Sequence, residues 1–245
     1  MCLFASLAQN KSTPKWRHSL ALGACVEIEE LQKLYQNAYT DLNRLRFDKS
    51  HPWHRGLVIF YFSIIEYSDT FIALHQLGKR AAMPMVCRAL LEAYIDFKNL
   101  HDDPKYGFGL EAAQLKERLD LLRNSKDLDN SYLTGIADFQ DQEVRWQSEF
   151  DDLVSKGHKP LKQWQKFEKA DKSHEYRAIY SELCSHSHNN LSSLGQRYID
   201  TEASDGNFSL VVFDNFKPSE TEHLVQLVYI CLMDSSARVH RTLSE

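Results

Sequence analysis

The chain is poor in turn formers, with 9 Gly and 6 Pro in 245 residues. Sandwiches and barrels need a turn signal every ~8–12 residues, so this scarcity excludes them and favours long helices. Cysteine is sparse as well: the 5 residues (Cys2, Cys25, Cys87, Cys184, Cys231) are odd in number and nowhere form C-x-x-C. That argues against a disulfide framework and a zinc knuckle, and it fits a reducing cytoplasm. No G-x-G-x-x-G or Walker A sequence occurs, which removes the usual phosphate-cradling loops. There is no surplus of positive charge either. With 29 Lys plus Arg against 34 Asp plus Glu, the formal charge is −5, whereas coating a polyanion requires Lys and Arg to neutralise phosphates. The opening MCLFASLAQNKSTPKW has no basic n-region, and no run is read as reaching the ~20 apolar residues of a membrane span. A soluble cytoplasmic protein with no membrane partner is the expectation.

The remaining composition, 43% hydrophobic and 26% charged, is that of a globular domain. Thr13-Pro14 reads as a cap and first-turn proline opening a helix to about Phe47, with Leu31, Leu34, Ala38, Leu42 and Leu45 inward. His51-Pro52 restarts the pattern, and an apolar segment runs to Gly78, a natural helix stop. A third helix begins near Pro84 and ends at Asp103-Pro104. A fourth covers about Leu110 to Arg123, with Leu115, Leu119 and Leu122 inward. The stretch ending at Gly157 reads as a solvated helix anchored by Ile136, Phe139, Phe150 and Leu153. Residues 158–172 read as a basic connecting segment with Trp164, its lysines interleaved with Glu168 and Asp171. Ser173 is expected to cap the next helix, HEYRAIYSELCSHSHNNLSSLGQRYI. A turn cluster between RYID and FSLVVF suggests a small β-hairpin near 196–213. Ser219 to Glu222 forms a capping box for the last helix, with Leu224, Leu227, Cys231 and Ala237 inward. The sequence thus predicts an all-α single domain, a bundle of six or seven helices over 1–245, with residues 1–12 a flexible N-terminus.

Two helices carry the chemistry. On the third, Arg88, Glu92 and Asp96 fall at i, i+4 and i+8 with Asn99 behind, so Arg88 and Glu92 can pair. An amphipathic exterior is the plain reading of that stripe. The preceding apolar helix nevertheless contains Glu66, Asp69 and His75, and the two helices could line one polar cavity, where buried charges need partners. The second constellation is Tyr176, Arg177, Tyr180, Glu182, Ser185, His186, His188 and Asn189. Residues two apart on a helix point roughly 200° from each other, so His186 and His188 cannot both enter one site unless the helix breaks. Glu182 and His186 have a helical metal-pair spacing with no second pair to complete it, so neither a metal nor a cofactor is expected. Cys184 reads as core.

Two segments carry a family resemblance: CRALLEAYIDFKNLHDDP, an Arg followed four residues later by Glu, and YRAIYSELCSHSHNNL, with its Tyr-Arg, Tyr and late His. Together, over about Phe60 to Tyr198, they resemble a family of bacterial helical proteins of unknown function. The resemblance implies an all-α fold with the Arg-Glu and Tyr/His helices side by side, and it implies no activity. A looser similarity is to HEPN-type ribonucleases, which use R-x4-6-H. Here Arg177 and His186 enclose eight residues, so such chemistry would need Arg88 or Arg177 to meet His186 or His188 across helices.

The enzymatic hypothesis is a metal-independent ribonuclease or other phosphoester-acting protein. Its catalytic residues would be Arg88, Glu92, Tyr180, His186 and His188, with Tyr176, Arg177, Ser185 and Asn189 binding substrate. Histidine would move the proton and arginine hold the phosphate. The alternative is a non-catalytic helical module that senses a small polar ligand or a partner. RNA or a small polar ligand is the expected partner, and 13 Phe, 11 Tyr and 4 Trp leave room for a homo-oligomer interface.

Overall fold

The computed structural model describes residues 26–126, 141–188, 190–200, 209–210 and 221–243, without the side chains of Ser192, Gln196, Asp200 and Ser209. Nine helices lie among them. α1 is Ile28–Asp41, followed by a 3-10 turn Leu42–Arg44; α2 is Pro52–Gln76, α3 Met83–Asp102, α4 Tyr106–Ser125, α5 Glu143–Ser155 and α6 Gln163–Lys169. Ser173–Glu175, a π-helical turn Tyr176–Tyr180 and Ser181–Ser187 run on as one rod, α7; α8 is Leu191–Tyr198 and α9 Glu222–Leu243. The all-α fold expected from the sequence is what forms. The helix number is higher because the basic segment supplies α6 and the long helix breaks between α7 and α8, around His188 and Asn190. Ser, His and Asn favour such a break, since their side chains compete for backbone hydrogen bonds. Strands β1 (Ile199–Asp200) and β2 (Ser209–Leu210) pair antiparallel at Ile199 with Leu210 and Asp200 with Ser209, which bears out a small hairpin; its connection lies outside the described residues.

The punctuation works as chemistry dictates. Pro52 occupies the first turn of α2, where its missing N–H is not needed. Gly78 adopts φ +67, and the stop is a Schellman motif: Gly78 N–H donates to the His75 carbonyl at 3.1 Å and Lys79 N–H to Leu74 at 2.8 Å. The first helix departs from expectation. It ends at Asp41 rather than near Phe47, and Leu45 is already extended; residues 13–25 lie outside the described residues. The expected cap at Ser173 falls one residue late, since Lys172 holds the N-cap position. On α9 the buried row turns from Cys231 to Ser235 and Val239, leaving Ala237 exposed.

α2 and α3 form an antiparallel pair linked by a short turn, α9 packs across both, α1 lies on α2 and α9, and α7 lies on α3. Tyr61, Phe71, Phe97, Leu90 and Leu232 are fully buried between them. A smaller core of Leu115, Leu119 and Leu122 on α4 closes over Trp146 of α5, a residue the periodicity did not single out; Ile136 and Phe139 lie outside the described residues. α2 is a correction: it has 25 residues, and an 18-residue window within it reaches a mean hydropathy of 1.6, long and apolar enough by length and composition to cross a bilayer. Eight of its residues, among them Tyr61, Ile64 and Phe71, are buried, so in this fold α2 is the central helix of the bundle.

Candidate functional site

The stripe on α3 does not stay together. An α-helix rises 1.5 Å per residue, so Arg88 and Asp96 stand about 12 Å apart and meet different neighbours. Asp96 and Asn99 belong to a junction with α4 and α6. Tyr106 Oη and Lys166 Nζ both donate to the Asp96 carboxylate, the latter at 2.9 Å, and Asn99 Nδ2 donates to the Lys166 carbonyl at 2.8 Å. Burial, then the Asp96 charge, hold the Tyr106 phenol far above its ordinary value. The second half of the basic segment is likewise consumed internally. Lys166, Lys169 and Lys172 pair with Asp96, Asp103 and Glu175, and Phe167 is fully buried.

Arg88 and Glu92 instead face α7. Arg88 Nε donates to Glu92 Oε1 at 3.0 Å, and Tyr180 Oη donates to the same oxygen at 2.7 Å. The guanidinium carbon lies 5.6 Å from the centre of the Tyr180 ring, a cation–π distance. From there Arg88 Nη1 reaches to 3.4 Å from Nε2 of His188, a residue 100 positions away in sequence. With Nη1 as the donor, Nε2 is the acceptor, which places the imidazole proton on Nδ1. Burial opposes the charge on Arg88, and hydrogen bonds with Glu92 and Tyr180 outweigh it, so its pKa stands above the ordinary value. Burial and the bond to Glu92 push the Tyr180 phenol well above its own. Arg88 and Glu92 side chains keep 25% and 36% of their surface and His188 is exposed, so the cluster forms a rim open on one side.

α7 supplies its half of the rim through spacing. Tyr180 and His188 stand eight residues apart on one face, and the π-helical turn, in which Ser181 N–H returns to the Tyr176 carbonyl, sets Tyr176 against Tyr180. Those rings stack at 5.3 Å and 19°, with Phe167 tilted against both. Cys184, midway between Tyr180 and His188, is half-buried and close enough to influence the charge on both Arg88 and Tyr180. Cys184 packs against the main core as expected, and the i, i+4, i+8 spacing of Tyr180, Cys184 and His188 sets it beside the rim as well.

Other candidates stand elsewhere. His186 is buried, 4% exposed, on the far side of α7, where its carbonyl accepts Arg197 Nη2 at 2.8 Å. The two histidines therefore do diverge, and His188 is the one on the rim. Arg177 is exposed, away from Glu92. Ser185 Oγ donates to the Glu182 carbonyl at 2.7 Å and accepts from Ser193 at 3.0 Å, a local stitch between α7 and α8. Tyr176 reaches the site only through Tyr180, and Asn189 lies outside the described residues. The shared cavity proposed for the two central helices does not form. Glu66 is exposed, and Asp69 turns toward α1, lining a groove of about 780 Å³ with Glu29, Gln32, Gln36, Asn37 and Gln76. His75 is half-buried, and burial, then Arg80, lower its pKa. Among the described residues, no three His, Cys, Asp or Glu side chains converge as a metal set would.

Comparison with family models places residues 54–208 in a family of unknown function, DUF5677. The match spans more than half of the chain and includes both helices of the rim, and the chain belongs to that family. No curated protein and no solved structure matches it.

Proposed function

We propose that the Arg88–His188 rim acts on phosphoesters, with single-stranded RNA as the substrate class and the cytoplasm as its setting. The observation that carries the reading is the approach of Arg88 Nη1 to His188 Nε2 at 3.4 Å on an open edge. A guanidinium there presents donors to non-bridging phosphate oxygens, and an imidazole beside it is placed to take a proton. Glu92 and Tyr180 act as positioning residues. The carboxylate holds Nε at 3.0 Å and leaves the Nη nitrogens directed outward, while the phenol fixes the carboxylate in turn. In the reaction proposed, a phosphate oxygen takes over the Arg88 Nη1 donor from His188 Nε2. The lone pair so freed on Nε2 removes the proton of a ribose 2′-hydroxyl as the hydroxyl oxygen attacks the adjacent phosphorus. The O2′–P bond forms and the P–O5′ bond breaks, and the proton returns to O5′ to give a 2′,3′-cyclic phosphate and a 5′-hydroxyl. Arg88 balances the charge gathering on the phosphoryl oxygens.

The test is cleavage of a labelled single-stranded RNA with chelator present. Wild type is expected to cut, and Arg88→Ala or His188→Ala to lose about 10²-fold or more while the thermal midpoint barely moves. Absence of cleavage by wild type, or full activity in both variants, would overturn the reading. A second reading, a non-catalytic sensing module, draws support from the way Glu92 Oε1 already joins Arg88 and Tyr180 into one latch between α3 and α7. It predicts no cleavage by wild type and a loss of stability in Arg88→Ala.

A further inference from the structure

The outer face of α2 carries a pattern that the rim does not use. Arg55, Ile59, Phe62 and Glu66 follow a 4-3-4 spacing, which places all four on one narrow stripe of the helix. All are exposed, and two are large and apolar: Ile59 keeps 62% of its surface in solvent and Phe62 43%. The stripe is self-complementary in an antiparallel sense. The point midway between positions 59 and 62 is also midway between 55 and 66. A two-fold axis through that point sets Ile59 on the partner's Phe62 twice, and Arg55 against the partner's Glu66 twice. A parallel two-fold pairing would bring Arg55 to Arg55 and Glu66 to Glu66. The antiparallel arrangement also lays the positive amino-terminal half of α2 along the negative carboxy-terminal half of its mate. Arg55 Nη1 donates to the Lys49 carbonyl at 3.1 Å, which keeps its guanidinium at the amino-terminal end of α2, the end that meets the partner's Glu66 in the antiparallel arrangement.

We infer that this stripe is an isologous interface and that its occupant is a second copy of the chain, packed α2 to α2 about a two-fold axis. The matching of charge and apolar groups about one axis is what a closed symmetric contact requires. It is independent of the phosphoester reading, since α7 and His188 take no part in it.

The measurement is the molar mass of the full chain in solution, by sedimentation velocity over a concentration series. Wild type is expected as a dimer. Phe62→Glu sets a carboxylate beside the partner's Ile59 and is expected to give monomer. Arg55→Glu faces two like-charged pairs and should weaken the dimer by about tenfold or more, and adding Glu66→Arg should restore it to within about threefold. Far-ultraviolet dichroism checks that each variant remains helical. Should Phe62→Glu fail to fold, the charge swap, made only at exposed polar positions, still decides the matter. A monomeric wild type, a dimer indifferent to both single changes, or a double variant no better than Arg55→Glu would overturn the proposal. So would a monomer that floats with phosphatidylglycerol vesicles through Phe62, which would make the stripe a lipid-facing surface.

Discussion

The two ends of α3 hold the same kinds of side chain in opposite circumstances. At one end Asp96 is shut in by Tyr106 and Lys166, with only 13% of its side chain and 18% of the lysine's exposed. At the other, Arg88 and Glu92 are latched by Tyr180 but end at an exposed histidine. A closed network can only hold helices together. An open one has donors left to offer a ligand, so a difference in burial, rather than in residue type, separates a structural junction from a candidate site.

That comparison breaks or sharpens under mutation. The largest effect is expected at the closed end. Asp96→Ala leaves a lysine and a phenol without their acceptor and should cost about 3–5 kcal/mol of unfolding free energy, measured by urea denaturation. Glu92→Ala strips Tyr180, itself 6% exposed, of its acceptor and should cost about 1–2 kcal/mol in the same experiment. His188→Ala removes an exposed ring and should stay within about 0.5 kcal/mol of wild type. If Asp96→Ala were as mild as His188→Ala, the contrast between the two ends would collapse.

The smallest effect concerns acid. Beyond the closed junction, Asp102 receives Lys98 at 2.6 Å and Arg238 at 2.7 Å. Burial opposes its charge, but these partners and His101 outweigh it and lower its carboxyl from 3.8 to about 2. A depressed folded value means that its stabilisation is complete above the unfolded value and fades as pH falls from about 4 toward 2. The gap between wild type and Asp102→Asn in urea midpoint should narrow over that window and stay constant at neutral pH.

Much of the architecture was legible because proline and glycine act locally. Pro52, Gly78, Pro104 and Gly157 stop or start helices through their own backbone restrictions, and a helix boundary falls at each. The pairing of Arg88 with Glu92 was legible for the same reason, being a contact within one helix. What the sequence could not reveal depends on which neighbour arrives. Nothing in the α3 stripe says that its first half meets α7 and its second half α4 and α6. The burial of Trp146 needs α5 folded back on α4, and α1 ends at Asp41 with neither proline nor glycine there to stop it. The divergence of His186 and His188 followed from helical geometry, but which one faces Arg88 required the position of α7 on α3.

The most direct test of the rim as a ligand site is the imidazole spectrum of His188 during titration with a 2′-O-methyl RNA oligomer, which can bind but lacks the attacking hydroxyl. The account predicts that the His188 Nε2 and Arg88 Nε resonances shift together while those of the buried His186 stay in place. Saturating oligomer that leaves His188 unmoved, or moves both histidines alike, would contradict it.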